Sequence, residues 1–239
     1  FSNEAQQFIK KLKVPFPFKD YFEATRHDET TRFTVDIDYD PSEDEEVLVL
    51  SSHTGGTEGS PEIEIKREYY PKSKRINLDS FYLPLHLQDK GYAKDKIKKA
   101  LPIYEKMGIK KLTLQANMDV GGYTWARVGF SATPKEFNRV KEAIKKRNKF
   151  SPRDLDSFWG RIKDINELSR IVFTRDEMLK NFKSRSIESL EKEFKENRAL
   201  SSDGKFKVGK YLLLGEFWSG EMELKGRNYE DFKKYINEG

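Results

Sequence analysis

From Thr31 onward the chain alternates: Phe33, Val35, Ile37 and Tyr39 are apolar or aromatic, and the residues between them, Thr34, Asp36 and Asp38, are polar. A period of two belongs to a strand with one wetted face, so the pattern predicts a half-buried strand. Val47 to Leu50 is a short apolar run that predicts a second strand. Ile63 and Ile65 resume the alternation ahead of Tyr69 and Tyr70, and Ile76 to Leu87 predicts a fourth. Together these read as an antiparallel meander. The segment Ser51 to Pro61, SSHTGGTEGSP, reads by composition as the loop inside it. Upstream, Ala5, Phe8, Ile9 and Leu12 recur at helical spacing. The connector Val14-Pro-Phe-Pro-Phe18 stops that helix, because each proline removes a donor and restrains its predecessor, and its aromatics are expected to dock on the core.

The most informative stretch is Leu85 to Phe130. A strand ending at Leu87 gives way to the polar turn Gln88-Asp-Lys-Gly-Tyr-Ala93. Then Ile97, Ala100, Leu101 and Tyr104 fall at i, i+3, i+4 and i+7 of an amphipathic helix that Gly108 ends. Pro102 sits inside that helix and predicts a kink or a division there. Leu112 and Leu114 alternate on a following strand, and a second glycine turn at Gly121-Gly122 leads to the aromatic segment closing with Gly129-Phe130. Beyond it, Phe137, Val140, Ala143 and Ile144 mark a basic helix over Lys135 to Phe150. Further helices are predicted around Phe158 to Ile165, Met178 to Phe182 and Ile187 to Phe194, the last with Ser186 as N-cap and an incomplete capping box at Ser189. Lys210 to Leu224 reads as strand, Ser219-Gly220 turn and strand, and Tyr229 to Ile236 as a closing helix.

Composition narrows the chemistry. The 239 residues are 36% hydrophobic and 36% charged with 13% aromatic, enough for a sizeable core built on Phe, Tyr, Leu and Ile. The absence of cysteine excludes disulfides, thiolate metal sites and a cysteine nucleophile. His27, His53 and His86 match no metal-ligand spacing. No window approaches a membrane span and no signal pattern opens the chain, so a soluble protein, cytoplasmic or packaged inside something, is expected, without membrane partners. The chain begins with Phe1, which predicts a fragment, a processed product or the ordered part of something longer. The net charge of +5 suits phosphate-bearing ligands, but the charges are interspersed and specific nucleic-acid binding is not predicted. The basic helix Lys135 to Lys149 reads as a solvated face; nucleic-acid binding there would show as strongly salt-dependent affinity. The glycine-rich run His53 to Ser60 lacks a P-loop's Lys-Ser/Thr ending and precedes a strand, so it reads as an exposed hairpin connection.

The turn before the predicted helix is different. The first amides of a helix have no intrahelical acceptor and point out of its N-terminus, where they bind anions. Gly91 lets the backbone approach a phosphate, small Ala93 does the same, and Lys90 and Lys94 add charge.

With Gln88-x-x-Gly91-x-Ala93, the helix, the strand, Asn117 and Gly129-Phe130 in place, the stretch resembles the Gcn5-related N-acetyltransferase (GNAT) superfamily. The resemblance is sharp over about fifty residues and one of element order over Thr31 to Leu87. It implies an α+β fold: a mixed, mainly antiparallel twisted sheet flanked by helices, here with a helical insertion before the last strands. The expected division is one elaborated domain, with an N-terminal helix and connector (1–30), a core (31–130), the insertion (131–204) and closing strands and helix (205–239). The resemblance also implies acetyl-CoA held by Gln88, Asp89, Lys90, Gly91, Tyr92, Ala93, Lys94 and Asn117, and acetyl transfer to an amine acceptor. The family's usual general-acid tyrosine falls at Trp125, whose indole cannot serve. Tyr123 is the substitute if the local turn differs. For the general base, Asp79, Glu64, Glu68 and His86 are candidates by location, Asp79 and Tyr123 being the pair named as catalytic. The wording of Asp119 to Phe130 and of Gly209 to Leu224 is similar to a variant embedded in bacteriophage virion or toxin-like proteins. That implies, as the alternative, a catalytically inactive GNAT-fold structural or interaction domain with other virion proteins as partners.

Overall fold

A computed structural model describes residues 3–12, 16–55, 63–87, 90–116, 121–147, 158–183 and 185–238. Its architecture is α+β. Helices α1 (Asn3–Lys11) and α2 (Phe18–Thr25) precede strands β1 (Arg32–Asp40), β2 (Glu45–Thr54), β3 (Ile63–Tyr70) and β4 (Arg75–Tyr82). After a single 3-10 turn at Leu85–Leu87 come α3 (Tyr92–Lys106) and β5 (Lys111–Ala116). Helices α4 (Gly121–Arg127), α5 (Pro134–Arg147), α6 (Ile165–Ser169), α7 (Arg175–Asn181), α8 (Ile187–Glu196) and α9 (Val208–Leu213) follow, then β6 (Trp218–Glu223) and α10 (Arg227–Asn237). The strands are hydrogen-bonded in chain order from β1 to β6. β1 to β4 are antiparallel hairpin neighbours, while β4 and β5 are parallel and joined by α3, because a parallel return needs a crossover. No helix among the described residues is long and apolar enough to cross a membrane.

The chain divides into two compact units, one of residues 1–114 with 222–239 and the other of 115–221. The first holds the meander, α1 to α3 and α10. Ile63, Ile65, Ile76, Leu78, Leu112 and Leu114 turn inward, and Ile97, Ala100, Leu101 and Tyr104 of α3 are buried. The proline-rich connector puts Phe16 in that core, its ring centroid 5.5 Å from Tyr21 and 5.6 Å from Tyr69. α10 runs antiparallel to α3: the Tyr229 hydroxyl meets Glu105 at 2.5 Å near one end, and the Lys94 ammonium donates to the Glu238 carbonyl at the other. The second unit packs α4 to α9 on rings such as Phe158, Trp159, Phe182, Phe194 and Phe206. Buried Asn166 ties its start together, donating to the Ala126 and Phe130 carbonyls at 2.9 Å each.

Several elements differ from the sequence reading. Ser51 to Thr54 belong to β2 and not to a loop, with Ser52 and Thr54 buried opposite Ile65 and Ile63. The strand expected to reach Leu87 ends at Tyr82. α3 runs unbroken through Pro102, which lies on its exposed side, where the carbonyl that loses its donor can face water. Gly121-Gly122 open a helix and not a turn. The reason is close approach: a Cβ on Gly122 would lie 2.6 Å from the Glu216 carbonyl oxygen. The Lys210 to Leu224 hairpin is instead the end of α9 followed by one strand, with Ser219 and Gly220 inside β6.

A buried carboxylate locks the far end of the meander. Glu45 is 2% exposed, and it accepts from the Lys72 amide at 3.0 Å and the Ser73 hydroxyl at 3.1 Å, fastening the β3–β4 turn to the start of β2. Glu45→Ala strands both donors, so we expect a loss of about 2–3 kcal/mol in urea unfolding, with Glu45→Gln recovering most of it. Equal unfolding midpoints for the alanine variant and the wild type would refute this role.

Candidate functional site

The β4–α3–β5 unit positions the candidate site. Two features of β4 converge at one place. Its pairing with β5 runs from Arg75↔Lys111 to Leu78↔Leu114 and stops, while β4 continues to Tyr82 against β3. Between the pairs Glu68↔Asn77 and Lys66↔Ser80, β3 has one residue, Arg67, where β4 has two, Leu78 and Asp79. That is a β-bulge on β4, which bends the strand and sharpens its twist. The last four residues of β4 therefore leave β5 at the bulge.

The chain then enters α3 through Gly91, which is left-handed (φ +73°, ψ 6°) and whose carbonyl accepts from the Asp95 amide at 2.9 Å. No side chain of the cap residue covers the first-turn amides, and a Cβ on Gly91 would meet nothing within 4 Å among the described residues. These are the properties an anion-binding helix start requires.

Of the predicted cofactor residues, Lys90 and Gly91 are exposed and Tyr92, Ala93 and Lys94 half-buried around this turn. Gln88, Asp89 and Asn117 lie outside the described residues. The Lys94 ammonium is directed to the Glu238 carbonyl and lies 5.0 Å from the Tyr235 ring. The Tyr92 ring stands 5.1 Å from His27 and 6.2 Å from Phe81, and its buried hydroxyl has no hydrogen-bond partner among the described residues. Burial, with Asp28 and Asp95 nearby, pushes its pKa up to about 12. The hydroxyl stays protonated at neutral pH.

The candidate carboxylates share the polar face of the meander, each with a donor. Asp79 pairs with Lys66 at 2.9 Å, and that contact raises the lysine's pKa. Glu64 accepts from the Ser80 hydroxyl at 3.3 Å, and Glu68 from Asn77 at 2.9 Å and the Tyr70 hydroxyl at 3.3 Å. Asp79 adjoins the bulge; His86 is exposed in the 3-10 turn.

Tyr123 belongs to the second unit, half-buried on α4. Trp125 is two residues on, its ring edge-to-face with Phe130 at 5.2 Å. The Trp218 indole donates to the Gly122 carbonyl at 3.1 Å, fixing the start of α4.

No family model and no curated protein matches the sequence. Among solved structures the chain is similar to nourseothricin acetyltransferase at 12% identity and a TM-score of 0.29, over 50% of this chain and 82% of that one. It is also similar to an acetyltransferase from Bacillus cereus at 10% identity and a TM-score of 0.27, over 54% of this chain and 79% of that one. A third is Tetrahymena Gcn5, at 15% identity and a TM-score of 0.28, over 68% of this chain and 83% of that one.

Two residues packed between the sheet and α3 escaped the sequence reading. Arg67 and Lys96 are 4% and 6% exposed, cations inside the first unit's core. Lys96 donates to the Arg26 carbonyl at the C-terminus of α2, and burial, with Lys99 next to it, lowers its pKa. The signal for Arg67 was present in the alternation: Ile63, Ile65, Arg67 and Tyr69 fall on one face of a strand, so an arginine there had to be buried.

Proposed function

We propose that this chain is a GNAT-type N-acyltransferase domain that takes acetyl-CoA at the start of α3 and passes its acetyl group to an amine. One observation carries the reading: a parallel β4–α3–β5 unit whose strands part at a bulge and whose helix opens on a left-handed, unobstructed glycine. The first-turn amides of α3 offer the pyrophosphate charge-assisted hydrogen bonds of roughly 1.5–3 kcal/mol each, and the helix dipole adds about 0.3–1 kcal/mol. Acetyl-CoA supplies the activated thioester. The protein's own tasks are to hold it, to take a proton from the acceptor's ammonium so that the free amine can attack the thioester carbon, and to protonate the thiolate that leaves as the C–S bond breaks. Asp79, at the bulge, is the proposed base; Tyr123, the acid that the sequence suggests, belongs to the other unit.

The pairing of Asp79 with Lys66 favours a second reading, a domain that keeps the fold and the cofactor turn without turnover. Calorimetric titration with acetyl-CoA, followed by thiol release in the presence of a panel of primary amines, tests both. Binding with turnover supports the first reading, binding without turnover the second. No binding at millimolar cofactor overturns the cofactor site.

A further inference from the structure

We infer that Arg67 is the positioning residue of this site: it touches neither cofactor nor acceptor, but fixes the last four residues of β4 against α3 and so sets the opening between them. The inference rests on the acyl-CoA reading for its functional meaning and on geometry for its content. Arg67 occupies the single β3 position opposite the two bulged residues of β4. Its Nη1 donates to the Lys66 carbonyl and to the Ser80 carbonyl, at 2.7 Å each. One nitrogen thus bridges the two strands at the point where the bulge has interrupted their ladder. The guanidinium carbon also stands 5.7 Å from the Phe81 ring, the next residue along β4.

The same guanidinium reaches α3. It lies beside the Tyr104 hydroxyl and lines a small cavity with Lys96, Ile97 and Ala100 of the same helix. Burial pushes this phenol and that of Tyr21 on α2 above their usual pKa, with the positive charge of Arg67 opposing, so both remain neutral at physiological pH. Among the described residues no carboxylate pairs with Arg67. A buried cation hydrogen-bonded to two backbone carbonyls is an expensive way to add stability. Its geometry explains its presence better: a planar guanidinium beside α3 bridges the β3 and β4 carbonyls at the bulge, which a lysine's point charge cannot do. The two elements joined are the strand that diverges at the bulge and the helix whose first turn is the proposed phosphate cradle. A shift of about an ångström between such elements is worth up to roughly a hundredfold in rate.

The test compares Arg67→Lys with the wild type. Amide hydrogen exchange is measured on the unliganded protein, and affinity and turnover with acetyl-CoA. We expect a cooperatively folded variant in which the amides of residues 78–82 exchange on the order of tenfold faster while those of β2 and α10 are unchanged. Acetyl-CoA affinity, or kcat at unchanged KM, should fall on the order of tenfold to a hundredfold. Tyr104→Phe removes the polar neighbour on α3 while leaving the guanidinium in place. It should give a smaller change at the same amides, and it decides the matter if the lysine variant does not fold. Exchange at residues 78–82 that matches wild type, or that rises evenly through the whole unit, overturns the inference, since a merely structural arginine acts globally. Failure of the wild type to bind acetyl-CoA overturns the acyltransferase reading instead, and exchange in the unliganded protein still decides whether Arg67 holds β4.

Discussion

Replacing Gly122 by valine is expected to unfold the second unit at temperatures where the wild-type chain is still folded. A Cβ at this position would lie 2.6 Å from the Glu216 carbonyl oxygen and 3.0 Å from that of Leu213. Both obstacles are backbone, so relief requires α4 to move away from the segment after α9 and not just a rotamer change. That movement pulls the Gly122 carbonyl from the Trp218 indole, whose side chain is fully buried. Overpacking of this kind costs about 1–3 kcal/mol, and the β-branched residue adds crowding, so we expect a loss of about 3 kcal/mol. For a unit of this size that corresponds to a fall in Tm on the order of 10–20 °C, measurable by calorimetry. A variant melting with the wild type would show that α4 does not depend on this approach.

Gly91→Asp should do the reverse, leaving the fold and removing the cofactor. The site has open space for a side chain, and aspartate is among the few non-glycine residues that adopt the left-handed region readily. Its carboxylate would sit at the N-terminus of α3, where the dipole favours it and where it competes for the amides proposed to bind phosphate. Losing two such charge-assisted bonds at about 1.5–3 kcal/mol each predicts acetyl-CoA binding weakened by at least ~100-fold. Gly91→Asn keeps the shape without the charge and should weaken binding only a few-fold. Wild-type affinity in the aspartate variant would place the anion site elsewhere.

The chain's own pattern revealed the elements whose period is unambiguous. β1, β3 and α3 were legible because Phe33 to Tyr39, Ile63 to Tyr69 and Ile97 to Tyr104 each keep one period over their length. The misreadings fall where a side chain's fate depends on a distant partner. Ser52 and Thr54 have the composition of a loop, and only their positions opposite Ile65 and Ile63 make them strand. Tyr211-Leu-Leu-Leu214 is a short apolar run, which fits a buried strand or a buried helix equally, and α9 is the outcome. Gly121-Gly122 carry the signature of a turn but open α4, and what requires a glycine at position 122 is the proximity of Glu216, far along the sequence. At the candidate site, the glycine that opens α3 was legible in the sequence, since Gly91 stands directly before the helical period begins. The bulge was not, since it exists only in the register between β3 and β4, and with it the significance of Arg67 was hidden.

The antiparallel clasp of α10 on α3 bears on when this domain becomes competent. The meander and α3 are contiguous in the chain, but the helix that grips α3 at Glu105 and Lys94 begins only at Arg227, after the whole second unit. On the ribosome, residues 3–114 can emerge and pair their strands while that clasp is still unsynthesised. The amide of Leu224 then closes on the Lys110 carbonyl at 2.8 Å, a return across the entire intervening unit. A long closure of this kind costs little more than a shorter one, because its entropy grows only with the logarithm of length. Its effect is on order in time: α3 is braced last, so a nascent chain acquires β1 to β5 well before it acquires the helix that grips α3.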